Sequence, residues 1–296
     1  MHVTVVGGGV IGLSCALRLA HAGNTVTLVT ADGVADTTSA VAGGLIYPPG
    51  TRPFARCAGW TGETLAEFQL IGAPGVRFLR GRLAMPISEP WPDWTRAVAG
   101  VAREGDSFVF TTAVVDTPVY LEWLVEKVKA AGVRIEHRRV GDLLGLRADL
   151  VVNAAGLGGG ALAGDDSVVP YGGQVVHLAD PGLREWAVKI DGDLVTYVIP
   201  HGGHVVCGGT EERGRSGTEP DPEATREILR RCRELVPALE DAEVLLTKVG
   251  LRPHRPEVRL ERVGDVIHCY GHGGAGITLS WGCADEVTEL VSGYEC

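Results

Sequence analysis

Lysine is nearly missing from this sequence: only four of the 27 basic residues are Lys, the other 23 are Arg, and Asn and Gln occur twice each. Heat-adapted proteins share that pattern with genomes of biased composition. The basic residues are outnumbered by 37 acids, giving a formal net charge of -10, so no basic face for a polyanion is expected and nucleic-acid binding is disfavoured. No window approaches 18 consecutive apolar residues, and the apolar start at Val3 is broken by glycines with no basic leader. Neither a membrane span nor a secretory signal is therefore expected. The chain closes on Gly293-Tyr294-Glu295-Cys296 rather than S-K-L, which leaves a peroxisomal address unsupported and the cytoplasm as the expected location. Seven scattered cysteines without a C-x-x-C indicate neither a zinc site nor a disulfide framework. Cys232 and Cys283, both in helical-looking segments, are the pair a bridge would join, but reduced thiols are the expectation.

What is present in excess is glycine. There are 42 in 296 residues, with no G-X-Y period, in a chain whose 45% hydrophobic and 22% charged residues are those of an ordinary globular protein. Backbone that must bend tightly, or admit a ligand closely, accounts for such an excess.

The first thirty residues carry the clearest signal. His2 to Val6 is a β-rich apolar run, Val10 to Ala22 has helical apolar spacing, and Thr25 to Val29 is a second strand. Between strand and helix, Gly7, Gly9 and Gly12 match G-x-G-x-x-G, with Gly8, Val10 and Ile11 filling the same turn. That arrangement predicts dinucleotide binding, the pyrophosphate lying on the helix N-terminus. Asp32, beside Ala31 and 20 residues past Gly12, is placed for a ribose contact.

Beyond it the pattern is mixed. Residues 36 to 56 read as loop, Trp60 to Leu70 and Pro118 to Ala131 as helices, and Ser107 to Val114, Val133 to Ile135 and Leu150 to Val152 as strands. Alternating runs at Gln174 to Leu178, Val195 to Ile199 and His204 to Cys207 predict an antiparallel sheet. Glu223 to Leu235 reads as a charged helix. The end of the chain reads as a strand from Val266 to Tyr270, a second glycine turn from Gly271 to Gly276, and a helix from Ile277 to Ser292. The fold class expected is α/β: a Rossmann-like domain with an inserted α+β substrate domain on a mainly antiparallel sheet. Residues 1–50, 116–165 and 250–296 are expected in the first, 51–115 and 166–249 in the second.

These segments resemble the D-amino-acid oxidase family of FAD-dependent amine oxidases over the whole chain. The residues that carry the likeness are VVGGGVIGLSCAL at Val5 to Leu17, TTSAVAGGLIYPP at Thr37 to Pro49, VVNAAGLGGGAL at Val151 to Leu162, PYGGQVV at Pro170 to Val176, TYVIP at Thr196 to Pro200, VGLRPHRPEVRLE at Val249 to Glu261 and CYGHGGAGITLSWGCA at Cys269 to Ala284. The resemblance implies FAD as cofactor and a D-amino acid and dioxygen as reactants. Hydride would leave the α-carbon for the flavin, dioxygen would reoxidise it to give hydrogen peroxide, and the imino acid would hydrolyse to a 2-oxo acid and ammonia. A glycine or sarcosine oxidase and a D-aspartate oxidase are the neighbouring alternatives, and a homodimer is left open.

The resemblance also implies site residues. Arg252 and Tyr197 would hold the substrate carboxylate, with Gly274, Tyr47 and Glu211 around the substrate. Thr37, Thr38 and Ser39 would wrap the pyrophosphate, Gly43, Gly44, Leu45 and Gly156 would flank the cofactor, and Val140 would pack near the adenine. Gly273, Gly274, Ala275, Gly276, Ile277 and Thr278 would lie against the flavin. His272 in that turn is expected to be structural, and His201 and His204 to belong to a hairpin turn rather than a metal site. Tyr47 stands where many relatives have Gln, and Asp193, in a shorter loop, replaces a lid tyrosine. Glu211 follows Gly208-Gly209-Thr210 where D-aspartate-specific relatives have Arg, so neutral or basic D-amino acids are expected to be preferred.

Overall fold

The computed structural model describes residues 1–47, 50–87 and 91–293. The loop expected across Pro48 and Pro49, and the terminal Tyr294-Glu295-Cys296, fall outside the described residues. β1 (His2–Val6), α1 (Val10–His21) and β2 (Thr25–Thr30) make the expected βαβ unit. Its turn depends on bare backbone. Gly7 has φ of +119°, and a Cβ there would lie 2.3 Å from the Ala154 carbonyl oxygen, while one on Gly12 would lie 1.8 Å from the carbonyl oxygen of Gly7. Helix and strand pack at this distance only without side chains.

The chain continues with α2 (Phe54–Ile71), β3 (Val76–Ala84), β4 (Ala102–Glu104), β5 (Ser107–Val115) and α3 (Thr117–Ala130). β6 (Arg134–His137), β7 (Leu150–Asn153), α4 (Leu157–Ala163), β8 (Val169–Ala179), β9 (Trp186–Asp191), β10 (Leu194–Pro200) and β11 (His204–Gly208) follow. The last elements are β12 (Glu212–Arg213), α5 (Pro222–Leu235), β13 (Val244–Val263), β14 (Val266–His272) and α6 (Gly276–Ser292).

All fourteen strands join one sheet in the order β4-β5-β3-β9-β10-β11-β8-β13-β14-β7-β1-β2-β6, with β12 paired to β8. From β14 to β6 every pairing is parallel, as a dinucleotide-binding half requires. The rest is antiparallel except where β3 meets β9.

β13 joins the two halves: Val244 to His254 pairs with β8, and Arg259 to Val263 pairs with β14, with a register shift between. Pro256 sits within that irregularity, where a missing ladder donor is tolerated, and Pro253, paired with Pro170 of β8, just before it. Local pattern therefore gave no sign of this strand. α4 was likewise hidden by Gly158, Gly159 and Gly160, poor helix formers tolerated because Gly159 lies on the Tyr270 ring and Gly160 on Val168. α2 starts at Phe54, six residues before the expected Trp60, with Pro53 accommodated ahead of its first turn.

The main core lies between the sheet and α1, α2, α3 and α6. α2 and α6 pack so closely that a Cβ on Gly282 would fall 2.3 Å from Trp60 Cα. Trp281 Nε1 donates to the Tyr120 hydroxyl at 3.0 Å, and the Arg18 guanidinium covers the Trp281 ring while pairing with Glu67 and Asp285. A smaller core separates α5 from β8, β10 and β11. Cys283 belongs to the main core and Cys232 to the smaller one, and all six described cysteines are free, so these two are not a bridged pair.

Candidate active site

The carboxyl ends of the parallel strands and the inner face of the antiparallel strands enclose one long cavity of about 1280 Å³. That exceeds the usual 300–1,000 Å³ or so of a single small-molecule pocket. One end is lined by Ala31, Asp32 and Val140, the middle by Gly7, Gly8, Gly9, Val10, Ile11 and Gly156, and the far end by Gly273, Gly274, Gly276, Ile277 and Thr278. Thr37, Thr38, Ser39, Gly43, Gly44, Leu45, Tyr47, Tyr197, Glu211 and Arg252 complete it among the sequence-derived candidates. Two candidates are absent from the wall. Gly12 sits under the turn against Gly7, and Ala275 is buried at the start of α6, so each acts through packing.

At the middle, α1 begins on Gly9 without a side-chain cap, and Val10 N–H donates to Ser39 Oγ at 3.1 Å. The remaining first-turn N–H groups point at the cavity end of the helix with its positive partial charge. The hydroxyls of Thr37 and Thr38 are already donated to the carbonyls of Val34 and Leu251, at 2.7 and 2.9 Å. They brace the loop. α6 also begins without a side-chain cap, directly after the Gly271 to Gly276 turn.

The substrate-sized end is built around Arg252, on β13. Its Nη1 donates to the Thr210 carbonyl at 2.9 Å, which fixes the plane of the guanidinium and leaves donors facing the cavity. Gly173 on β8 lies against it: a Cβ there would be 2.3 Å from Cζ. Gly274 lies beside the stem: a Cβ there would be 3.4 Å from Cδ. Tyr197 is within hydrogen-bond reach of Arg252. Its ring is seated on Gly208, where a Cβ would come 2.2 Å from Cζ, and Gly43 touches its other edge. Burial pushes the Tyr197 phenol up and Arg252 pulls it back, the net direction being upward, so it is protonated and donates at neutral pH. Tyr47, edge-on to Trp94, is pushed up to about 12 by burial and by facing Tyr197.

The frame behind Arg252 is a charged knot. Asp165 accepts from Arg255 Nε and from the Tyr270 hydroxyl, each at 2.9 Å, and from Ser167; Arg259 in turn donates to Tyr270 at 2.7 Å. The Ser167 hydroxyl and the Arg255 guanidinium hold its carboxyl well below the usual range. The knot ties the bulged part of β13 to β14 and to the segment after α4.

His272 is buried and lines the cavity, but its Nε2 faces the thiols of Cys283 and Cys269 at 3.5 and 4.0 Å. Desolvation lowers its pKa to about 4, which keeps it neutral. The rings of His177, His201 and His204 stack at 4.9 and 5.0 Å rather than converging their nitrogens, and His201 Nε2 is bonded to the Gly43 carbonyl. Among the described residues only Cys269, His272 and Cys283 group as metal ligands would.

Arg138, Arg139, Gly173, Gly209 and Thr210 line the cavity without having been singled out in the sequence. The two arginines follow β6, at the carboxyl end of a parallel strand, which is the signal that points to them.

A long cavity with two glycine turns, two uncapped helix starts and an arginine clamp at one end defines a dinucleotide-dependent oxidoreductase acting on a small carboxylate. The sequence matches the FAD dependent oxidoreductase family (DAO) over residues 2–290. The chain belongs to that D-amino-acid oxidase family. It is similar to the D-amino-acid oxidase of Streptomyces coelicolor, with 41% identity covering 98% of this chain and 97% of the relative. The D-amino-acid oxidase of Rubrobacter xylanophilus is also 41% identical, over 98% and 95%, and the human D-aspartate oxidase 37%, over 100% and 95%. The glycine oxidase of Bacillus cereus superposes with a TM-score of 0.81 at 22% identity, covering 99% of this chain and 95% of that one.

FAD fits the residues present. A Cβ at Gly9 would stand 3.2 Å from Ser39 Oγ, beside the α1 N-terminus, and the cavity is lined continuously from Asp32 through the Gly7 to Ile11 turn to Thr278.

Proposed function

We propose that this chain catalyses the oxidative deamination of D-amino acids to 2-oxo acids, ammonia and hydrogen peroxide. The observation that carries the reading is the fixed Arg252 guanidinium with the Tyr197 phenol beside it, at the end of the cavity that Gly273 to Thr278 line. The two D-amino-acid oxidases that are 41% identical over nearly the full length support it.

When bound, FAD supplies the two-electron acceptor that takes hydride from the substrate α-carbon and passes the electrons to dioxygen. The chain's residues supply position. Arg252 offers planar, charge-assisted donors to the carboxylate and Tyr197 adds a neutral O–H. Together they would fix the two carboxylate oxygens, and with them the position of the bond that leads to the α-carbon. Gly274 leaves room beside the Arg252 stem, and Tyr47, backed by Trp94, gives the cavity an apolar wall. The uncapped first turn of α6, around Thr278, lines the cavity and would offer positive partial charge to a bound flavin, favouring its reduced, negatively charged form. No side chain is required to act as a base, in keeping with His272 being neutral and turned to thiols.

Glu211 is exposed and lines the same cavity, so a second carboxylate on the substrate would be repelled. Neutral or basic D-amino acids are therefore preferred over D-aspartate and D-glutamate. Among the described residues no helix is long and apolar enough to cross a membrane. A cytoplasmic location and dioxygen as oxidant belong to the same proposal.

The test is a substrate panel with peroxide detection on the FAD-loaded protein: D-valine, D-phenylalanine, D-lysine, D-aspartate, glycine, sarcosine and the L enantiomers. The first three should outrun the rest. Glycine or sarcosine leading the panel would assign the chain to the other branch of the fold.

A further inference from the structure

α5 buries Ile228, Arg231 and Cys232, an i, i+3, i+4 stripe turned toward the sheet. Isoleucine and cysteine are ordinary in such a place, but a guanidinium only 7% exposed is not, because removing a charge from water is costly unless a well-placed partner offsets it. The carboxylate beside it gives little back. Arg231 Nε lies 3.4 Å from Glu227 Oε1 without a hydrogen bond, and Glu227 is already held by Arg230 Nε and Nη2 at 2.9 and 2.7 Å.

What the Arg231 guanidinium holds is the scaffold of the carboxylate clamp. Nη1 donates to Thr196 Oγ1 at 3.0 Å, with the Val195 carbonyl at 3.4 Å, and Nη2 donates to the Gly209 carbonyl at 3.0 Å. β10 turns Thr196 and Val198 toward α5 and Val195 and Tyr197 into the cavity, so Arg231 grips from behind the strand that carries the Tyr197 phenol. Gly209 seats that ring: a Cβ there would fall 2.8 Å from Tyr197 Cε1. The next carbonyl, of Thr210, is the one to which Arg252 Nη1 donates. Two guanidinium groups thus hang on successive carbonyls, Arg231 from the side of α5 and Arg252 from the cavity. The helix is itself fixed at its start, where Gln174 Nε2 donates to the Asp221 carbonyl and to Thr225 Oγ1 at 2.9 and 2.8 Å, and the Gln174 N–H donates to Thr210 Oγ1 at 2.9 Å.

We propose that Arg231 is a positioning residue of the substrate clamp: by bridging β10 to the Gly209-Thr210 backbone it sets the spacing between the Tyr197 phenol and the Arg252 guanidinium that one substrate carboxylate spans. The inference rests on the carboxylate-binding role given above to those two residues. Arginine suits the task because its planar fork holds two acceptors at a set separation, whereas a lysine ammonium is a point charge on a flexible stem and reaches one of them. A buried Gly209 carbonyl left without its donor is costly, so the segment shifts to find another, and the Thr210 carbonyl that orients Arg252 shifts with it.

The experiment compares the FAD-loaded parent with Arg231→Lys, Arg231→Met and Thr196→Val, the last of which keeps the guanidinium and removes one of its anchors. The probes are 3-methylbutanoate, which is valine without its amino group, and the corresponding amide, each titrated against the flavin absorbance. The parent should bind the acid more tightly than the amide. Both Arg231 substitutions should weaken the acid by about 10- to 100-fold, the upper figure being the scale of a ~1 Å misplacement, and leave the amide within about twofold. KM for D-valine should rise in the same proportion, with kcat within about threefold of the parent and flavin content unchanged. Thr196→Val should act in the same direction and add nothing further in an Arg231→Met background, as members of one network do. Parent-like acid affinity in Arg231→Lys overturns the proposal, as do lowered thermal stability with acid affinity unmoved, additive effects of the two substitutions, or a parent that binds acid and amide alike. If Arg231→Met yields no folded protein, Arg231→Lys and Thr196→Val carry the same decision. Acid binding needs no turnover, so a parent that binds the acid but oxidises no D-amino acid ends the proposed activity and leaves this inference standing, while variants that match an active parent do the reverse.

Discussion

Gly173 has no chemistry of its own, and its replacement by alanine is the most direct way to disturb the clamp without removing a charge. The new Cβ would lie 2.3 Å from Arg252 Cζ, where ordinary contact begins at 3.4 Å, so the guanidinium must move by at least the difference, 1.1 Å. β8 is held on both sides, by β11 and β13, and cannot retreat by that amount. The displaced guanidinium keeps its charge but loses the plane set by the Thr210 carbonyl. A misplacement of about 1 Å in a positioning group lowers catalytic efficiency by roughly 100-fold. Steady-state kinetics on a good D-amino-acid substrate should show that loss in kcat/KM, mostly through KM, with flavin content and absorbance as in the parent. A Gly173→Ala enzyme within about threefold of the parent, below 1 kcal/mol, would refute the geometry of the clamp.

Three further outcomes follow from the same structure. Arg252→Ala should lower kcat/KM by about 100- to 10,000-fold, the worth of two charge-assisted hydrogen bonds at ~1.5–3 kcal/mol each, while cofactor absorbance persists; unchanged turnover would remove Arg252 from the site. Gly12→Ala should yield little soluble flavin-loaded protein, since its Cβ would sit 1.8 Å from the Gly7 oxygen; normal loading would contradict the packing described for the turn. His177, His201 and His272 are each lowered from 6.5 to about 4, chiefly by burial. The unfolded chain therefore takes up protons first: stability is complete above pH 6.5, is lost progressively between pH 6.5 and 4, and levels off below. The deeply buried His272 accounts for about 3 kcal/mol of that loss at most. Denaturant midpoints measured from pH 7 to 4 should fall across that window, and a flat profile would refute it.

The sequence made the cofactor half legible because its signal is local. Three glycines at fixed spacing between a β-rich run and an apolar-periodic helix are read within thirty residues, and the structure places them as expected. The second glycine turn, Gly271 to Gly276, was found the same way. β13 and α4 were not legible, because Pro253 and Pro256 and the run Gly158 to Gly160 contradict the elements that contain them. Their conformations are set by partners distant in sequence, β8 and Tyr270. For the same reason nothing local distinguished Gly173 from the other glycines of the chain. Only the folded register, which puts β8 beside β13, turns it into the surface against which Arg252 lies. Arg252 and Tyr197 themselves were found through family resemblance, since nothing in an isolated Leu-Arg-Pro or Thr-Tyr-Val predicts that the two side chains meet.

The central claim is that this chain takes hydride from the α-carbon of D-amino acids. Mixing the FAD-loaded protein with D-valine or D-phenylalanine in the absence of dioxygen tests it without any coupled assay. The account predicts that the visible flavin absorbance is bleached by the D enantiomer and returns on admission of air, while the L enantiomer leaves the spectrum unchanged. A spectrum that no D-amino acid bleaches, or that both enantiomers bleach equally, would contradict it.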